Sequence, residues 1–133
     1  MKIVIYGEPV PKGRPRMTRS GRTYTPAKTR AYENAIRDAW KTQSCEKLDG
    51  ALKVRVEAYM SIPISKSKST KMAMLEGRIK YTKRPDLDNI IKVLDALNGC
   101  AFDDDAQIVE IEAHKMYSDR PRLVIHIERL EDG

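Results

Sequence analysis

The sequence predicts an α+β domain: a mixed β-sheet with helices packed on one face and an antiparallel hairpin at the C-terminus. Three observations carry that expectation. Residues 51–60 alternate strictly, with Leu52, Val54, Val56, Ala58 and Met60 on one side and Lys53, Arg55, Glu57 and Tyr59 on the other, the pattern of a half-buried strand. Residues 87–98 place Leu87, Ile90, Ile91, Leu94 and Leu97 on one helical stripe and run into Gly99, a natural C-terminal stop. Residues 107–117 and 122–130 are β-rich and separated by the turn Ser118-Asp119-Arg120-Pro121, so they should pair with each other. The order β, loop, α, β, α, β, β intersperses strands with helices, as α+β domains do.

The other elements follow along the chain. Residues 2–6 (KIVIY) read as a short first strand. Residues 7–30 are a long basic loop: Lys12, Arg14, Arg16, Arg19, Arg22, Lys28 and Arg30 face one acid, Glu8, and Pro9, Pro11, Pro15, Gly13 and Gly21 forbid regular structure through most of it. Loops of that length inside a domain are commonly functional. Thr25 followed by Pro26 marks a helix start, and Tyr32, Ala35, Ile36, Ala39 and Trp40 give that helix one apolar face ending near Ser44. Pro63 closes the strand 51–60. A Ser/Lys-rich stretch follows, with a short helix expected from Thr70 to Glu76 and stopped by Gly77.

A length of 133 residues suits one domain over 1–133 with one core. With a single phenylalanine, Phe102, that core must be built mainly from Ile, Val, Leu, Met and Ala. The net charge of +6 favours an anionic partner, and nucleic acid is the commonest. No apolar run approaches the ~20 residues of a membrane span, and the apolar run in MKIVIYGEPVP is too short for a signal peptide. Cys45 and Cys100 have no ligand spacing and read as reduced thiols of a cytoplasmic protein.

The segment Lys83-Arg84-Pro85-Asp86-Leu87-Asp88-Asn89-Ile90-Ile91-Lys92 holds the candidate chemistry. Asp86 and Asp88 stand two apart at a helix start, Lys92 lies one turn beyond Asp88, and Asp103-Asp104-Asp105 follows the helix. Hard cations such as Mg²⁺ take carboxylates, waters and substrate phosphates as ligands. Convergent aspartates holding metal can neutralise a scissile phosphate and activate water, and a nearby lysine can stabilise the charge that develops. By spacing alone, the helix-cap reading of Asp86 and Asp88 stands ahead, roughly two to one, because acids at helix starts are common. Lys92 with Asp88 is also an ordinary surface pair, worth about 0.3–0.5 kcal/mol. A lone acidic triplet is by default a solvated turn. A calcium loop starting at Asp86 fails, because its sixth position is Ile91 rather than Gly and its twelfth is Leu97 rather than Glu. His114 and His126 read as ordinary surface or partly buried strand residues without a catalytic role, Ser and Cys nucleophiles have no plausible His/Asp partners in sequence, and no phosphate-cradling Gly-rich motif is present.

Taken jointly, Arg84-Pro-Asp-Leu-Asp-Asn-Ile-Ile-Lys-Val-Leu-Asp-Ala-Leu-Asn-Gly and, after a short gap, Phe102-Asp-Asp-Asp-Ala-Gln-Ile-Val109 resemble the RusA family of Holliday junction resolvases. That pattern is roughly [RK]-x-D-x-D-N-[LI]-x-K-x-x-x-D-A-L, then D-D-x-Q-[IV]. The resemblance implies a cytoplasmic, bacterial or phage-encoded homodimer that cuts four-way junctions with Mg²⁺, or Mn²⁺, and needs no membrane and no organic cofactor. It implies metal ligands at Asp86, Asp88 and Asp105, with Asp104 as an acidic neighbour, and a catalytic lysine at Lys92. Asp95 matches a recurrent helical acid, for which an ion pair with Lys92 is expected. DNA contacts are expected from Lys12, Arg14, Arg16, Arg19, Arg22, Arg84 and Lys115. Asp103 is extra to the pattern. Two rivals are a basic DNA-binding module without catalysis, and a metal phosphohydrolase or general nuclease without junction preference.

Overall fold

The computed structural model describes residues 1–14, 16–44 and 46–130. β1 (Lys2–Tyr6) is followed by two short strands in the basic loop, β2 (Arg16–Met17) and β3 (Thr23–Tyr24), then α1 (Ala27–Gln43), β4 (Leu52–Ser61) and α2 (Lys68–Leu75). α3 (Leu87–Ile91) passes directly into a 3₁₀ segment, Lys92–Leu97. A 3₁₀ turn, Asp105–Gln107, leads into β5 (Ile108–Ser118), and β6 (Arg122–Arg129) completes the order.

The sheet is mixed, with strand order β1-β6-β4-β5. β5 and β6 run antiparallel, as expected, but they do not hydrogen-bond to each other, because β4 lies between them. It is parallel to β5, from Leu52 opposite Ile108, and antiparallel to β6, with Val54 opposite Ile127. The expected direct hairpin pairing is therefore replaced by a splayed pair whose turn crosses the end of β4. The physical reason is β4 itself. Its ten residues carry a fully apolar face, and a central place gives it a ladder on each side while burying Leu52, Val54, Val56 and Ala58 completely.

One sheet face is the core side. Ile3, Ile5, Val56, Ala58, Leu123, Ile125 and Ile127 are buried there under Ile36, Ala39 and Trp40 of α1 and under Val93, Leu94, Ala96 and Leu97 of the 3₁₀ segment. Trp40 and Phe102 are the largest of the buried side chains, and full burial of a side chain of that kind contributes about 1.5–3 kcal/mol. The other face is polar. His126 Nε2 lies 2.8 Å from Glu57 Oε1, and Arg122 stacks 3.8 Å over the Tyr59 ring.

Local readings differ in three places. In α1 the cap position is Pro26 and makes no side-chain capping bond, and Ala35 is exposed while Thr29 is buried. Thr29 Oγ1 instead accepts from Gly13 N–H at 3.0 Å. A Cβ on Gly13 would stand 2.8 Å from that oxygen, so the loop's base lies hard against the helix start. The basic loop is irregular at its two ends but contains the β2–β3 ribbon. The short second helix starts earlier than expected, with Ser67 Oγ accepting from Thr70 N–H. Cys100 is a free thiol, Cys45 lies outside the described residues, and no helix among the described residues is long and apolar enough to cross a membrane.

Candidate active site

The expected single helix over 87–98 changes pitch at Lys92. Residues 90–98 explain it: Ile90-Ile91-Lys92, Val93-Leu94-Asp95 and Ala96-Leu97-Asn98 repeat apolar, apolar, polar. A period of three matches three residues per turn, where side chains at i and i+3 eclipse. The tighter winding buries Ile90, Val93 and Ala96 in one row with Leu94 and Leu97 beside them. It leaves Lys92, Asp95 and Asn98 on the outer edge. Asn98 Oδ1 accepts from Asp105 N–H at 2.9 Å, which ties the acidic turn to that edge.

Asp86 occupies the N-cap of α3 in an extended conformation, yet its side chain makes no capping bond. Its carboxylate is thus not used up by the helix end. Asp86, Asp88, Asn89 and Lys92 line one recess of about 280 Å³ with Lys12, Gly13 and Arg14. That recess continues along Lys12 to Arg84 and Pro85 on one side, and along Arg14 to Arg16 and Lys28 on the other. The result is a groove with acids at its centre and cations toward both ends. A larger recess of about 440 Å³ lies on the polar sheet face around Lys2, Arg55 and His126, away from all of these residues.

The irregular segment leading to Asp86 is clamped from β5. Lys115 Nζ donates to the Lys83 and Pro85 carbonyls at 3.0 and 3.1 Å, and Tyr81 Oη donates to the Arg84 carbonyl at 2.8 Å. Three consecutive carbonyls are thereby held. Lys115 also sits 5.3 Å from the centre of the Tyr81 ring, which meets Tyr117 edge-on. Lys115 was expected to contact DNA, but its ammonium is engaged with the backbone before Asp86.

The acidic triplet divides its labour. Asp103 pairs with Lys47. Asp104 accepts from Ala106 N–H at 3.2 Å, and Gln107 Oε1 accepts from the N–H groups of Asp103 and Asp104, a reciprocal cap. Asp105 turns toward Asp95. Its hydrogen bond with Asp95, then that with Asp104, push its pKa up to about 6. Asp95 itself is held below the usual carboxylate range: burial opposes this, but the Lys12 ammonium 3.0 Å away outweighs it. The expected Asp95–Lys92 ion pair is thus replaced by Asp95–Lys12, with Glu33 3.8 Å from the same ammonium. Lys12, like Lys115, is an internal partner. Arg14, Arg16, Arg19, Arg22 and Arg84 are exposed and form no ion pair among the described residues.

Asp86 and Asp88 suit a hard cation, since Mg²⁺ typically binds through one or two carboxylates plus waters and substrate phosphate. The expected three-carboxylate set is not assembled: among the described residues no three His, Cys, Asp or Glu side chains converge closely enough to hold a metal ion. Asp105 stands beside Asp95 and Asp104, whose carboxylates hold its pKa up. One measurable consequence is that, in metal-free protein, the Asp105 carboxyl should titrate near 6 by carbon NMR, and Asp95→Asn should return it toward the ordinary range. Between about 4 and 6 the folded protein binds more proton at this group than the unfolded chain does, so the group's contribution to stability falls as pH rises through that window. An Asp105 titration near 4 in the wild type would contradict the carboxyl–carboxyl contact.

The fold is an α+β domain with an acid-centred, cation-flanked groove, and comparison with known proteins assigns the family. The model of the endodeoxyribonuclease RusA family matches residues 6–128. The chain is also 34% identical over 137 residues to the uncharacterized protein YqaN of Bacillus subtilis (strain 168), covering 98% of this chain and 96% of that protein. The chain belongs to the RusA family and is a nuclease of that family.

Proposed function

We propose that the protein is a structure-selective endodeoxyribonuclease that resolves four-way (Holliday) junctions by paired, metal-dependent nicks in DNA recombination and repair. The groove carries this reading: Asp86, Asp88 and Lys92 stand at its middle, between Arg14 and Arg84. Carboxylates in that place would repel a phosphate backbone unless a cation joined them. Asp86 and Asp88 would hold Mg²⁺ or Mn²⁺, with Asp105 added once it releases its proton. A cation there would neutralise charge on the scissile phosphate and lower the pKa of an attacking water. Lys92, exposed beside the two acids, faces the charge that builds on the phosphoryl oxygens. Arg14, Arg16 and Arg84 hold the DNA backbone, so affinity falls as salt rises. A two-fold homodimer would put two identical sites on two strands of a nearly two-fold-symmetric junction.

The decisive experiment is cleavage of a synthetic four-way junction beside a linear duplex of matched sequence, with Mg²⁺ and with EDTA, by wild type and Asp86→Asn. Symmetric paired nicks are expected on the junction alone, and neither EDTA nor the variant should allow them. Equal cutting of both DNAs would reduce the enzyme to a general nuclease. Binding without cutting under any metal would leave only a DNA-binding module.

A further inference from the structure

The β2–β3 ribbon protrudes from the groove without packing on the core. All nine residues from Arg16 to Tyr24 are exposed. Strands of two residues have little stability of their own, yet this pair exposes an aromatic ring: Tyr24 is 46% exposed. Arg16 stands directly opposite Tyr24, and Met17 opposite Thr23. Directly opposed residues project to one side of a ribbon. Arg16 also lines the groove, beside Arg14 and Lys28. Tyr24 therefore lies on the same ribbon face as Arg16, beside the groove, with nearly half of its surface open to solvent. Met17 lies on the other face.

We infer that Tyr24 is a stacking platform for a nucleobase freed from its duplex, with Arg16 beside it on the backbone, and that this contact favours branched over linear DNA; the inference deepens the proposed function and rests on it. A phenol ring among arginines fits a π-face next to phosphate, and stacking on aromatic side chains tolerates any base. Linear duplex offers no such face along its length. A branch point or a single strand does. The arginines alone would bind every DNA form through phosphate, whereas the ring offers a contact that only DNA with an open base face can use.

The test is binding in EDTA, where no cutting occurs, to three probes: a four-way junction carrying 2-aminopurine at its crossover, the linear duplex of the same sequence, and its single strand. Tyr24→Ala should weaken junction and single-strand binding by roughly five-fold or more, the range a lost base–aromatic stack produces. Duplex binding should change by less than about two-fold, and the salt dependence on every probe should be kept, because no ionic contact is lost. Tyr24→Trp should restore the wild-type pattern, and the 2-aminopurine signal should change on binding for wild type and not for Tyr24→Ala. Met17→Ala, which trims the other face, should leave the pattern intact. Equal losses on duplex and single strand, or no loss on either open form, would overturn the inference. A wild type with no preference for the junction over duplex would defeat the resolvase reading instead, and the single-strand comparison would still decide the role of Tyr24. Thermal melting of Tyr24→Ala should change little, since Tyr24 is exposed and lies outside the hydrophobic core.

Discussion

Lys92→Ala is expected to nick a bound junction about two to three orders of magnitude more slowly than wild type, the loss that follows removal of one donor aimed at developing charge. Affinity for the same DNA should change by less than about three-fold, since one phosphate-facing cation among several shifts the salt slope by about one unit at most. The split follows from where the lysine stands. It is exposed, forms no ion pair among the described residues, and lies in the recess with Asp86 and Asp88. Its charge is therefore free for substrate. The fold should not notice the change, because an exposed side chain without partners contributes within about 0.5 kcal/mol. Single-turnover nicking and equilibrium binding on one preparation separate the two quantities. Unchanged turnover in Lys92→Ala would remove the residue from the chemistry.

Lys115→Met should have the second largest effect, and by another route. Hydrogen bonds from a charged group contribute roughly 1.5–3 kcal/mol each, and methionine leaves the Lys83 and Pro85 carbonyls without this donor. The melting temperature should fall. Nicking should fall by about ten- to a hundred-fold, because the backbone entering Asp86 loses its clamp and a small misplacement near the reacting atoms is costly. The salt slope of DNA binding should stay as in wild type. A shallower slope with full thermal stability would return Lys115 to the DNA-contacting set.

These two lysines show what the sequence could and could not reveal. The grouping of Lys92 with Asp86 and Asp88 in one recess was legible because the three lie in one short motif. Lys115 and Lys12 were not, because a lysine that serves a backbone carbonyl or a distant acid looks, in sequence, like one that serves phosphate. Lys12 meets Asp95, 83 positions away. The strands were legible from the alternation of Leu52 to Met60 and from the β-rich C-terminal third. Their neighbours were not, since the turn at 118–121 says that β5 and β6 reverse direction but not that a third strand enters between them. The 3₁₀ pitch at Lys92 was written in the three-residue repeat from Ile90 to Asn98, but an apolar stripe of helical spacing concealed it. The acidic triplet could not be divided from sequence because its roles depend on Lys47, Gln107 and Asp95, none of which adjoins it in the motif except Gln107.

The insertion of β4 between β5 and β6 has a consequence for synthesis. β6 is the strand that joins β1 to β4, and it leaves the ribosome after every other strand of the sheet. Until about residue 129 has emerged, β1 has no neighbour and β4 has at most one. Asp86, Asp88 and Asp105 are all translated earlier, as is Lys115, but the strand that completes the sheet beneath them is not. Pairings this distant along the chain form slowly. A chain cut short before β6 thus carries every one of these carboxylates on a sheet that still lacks the strand joining β1 to β4.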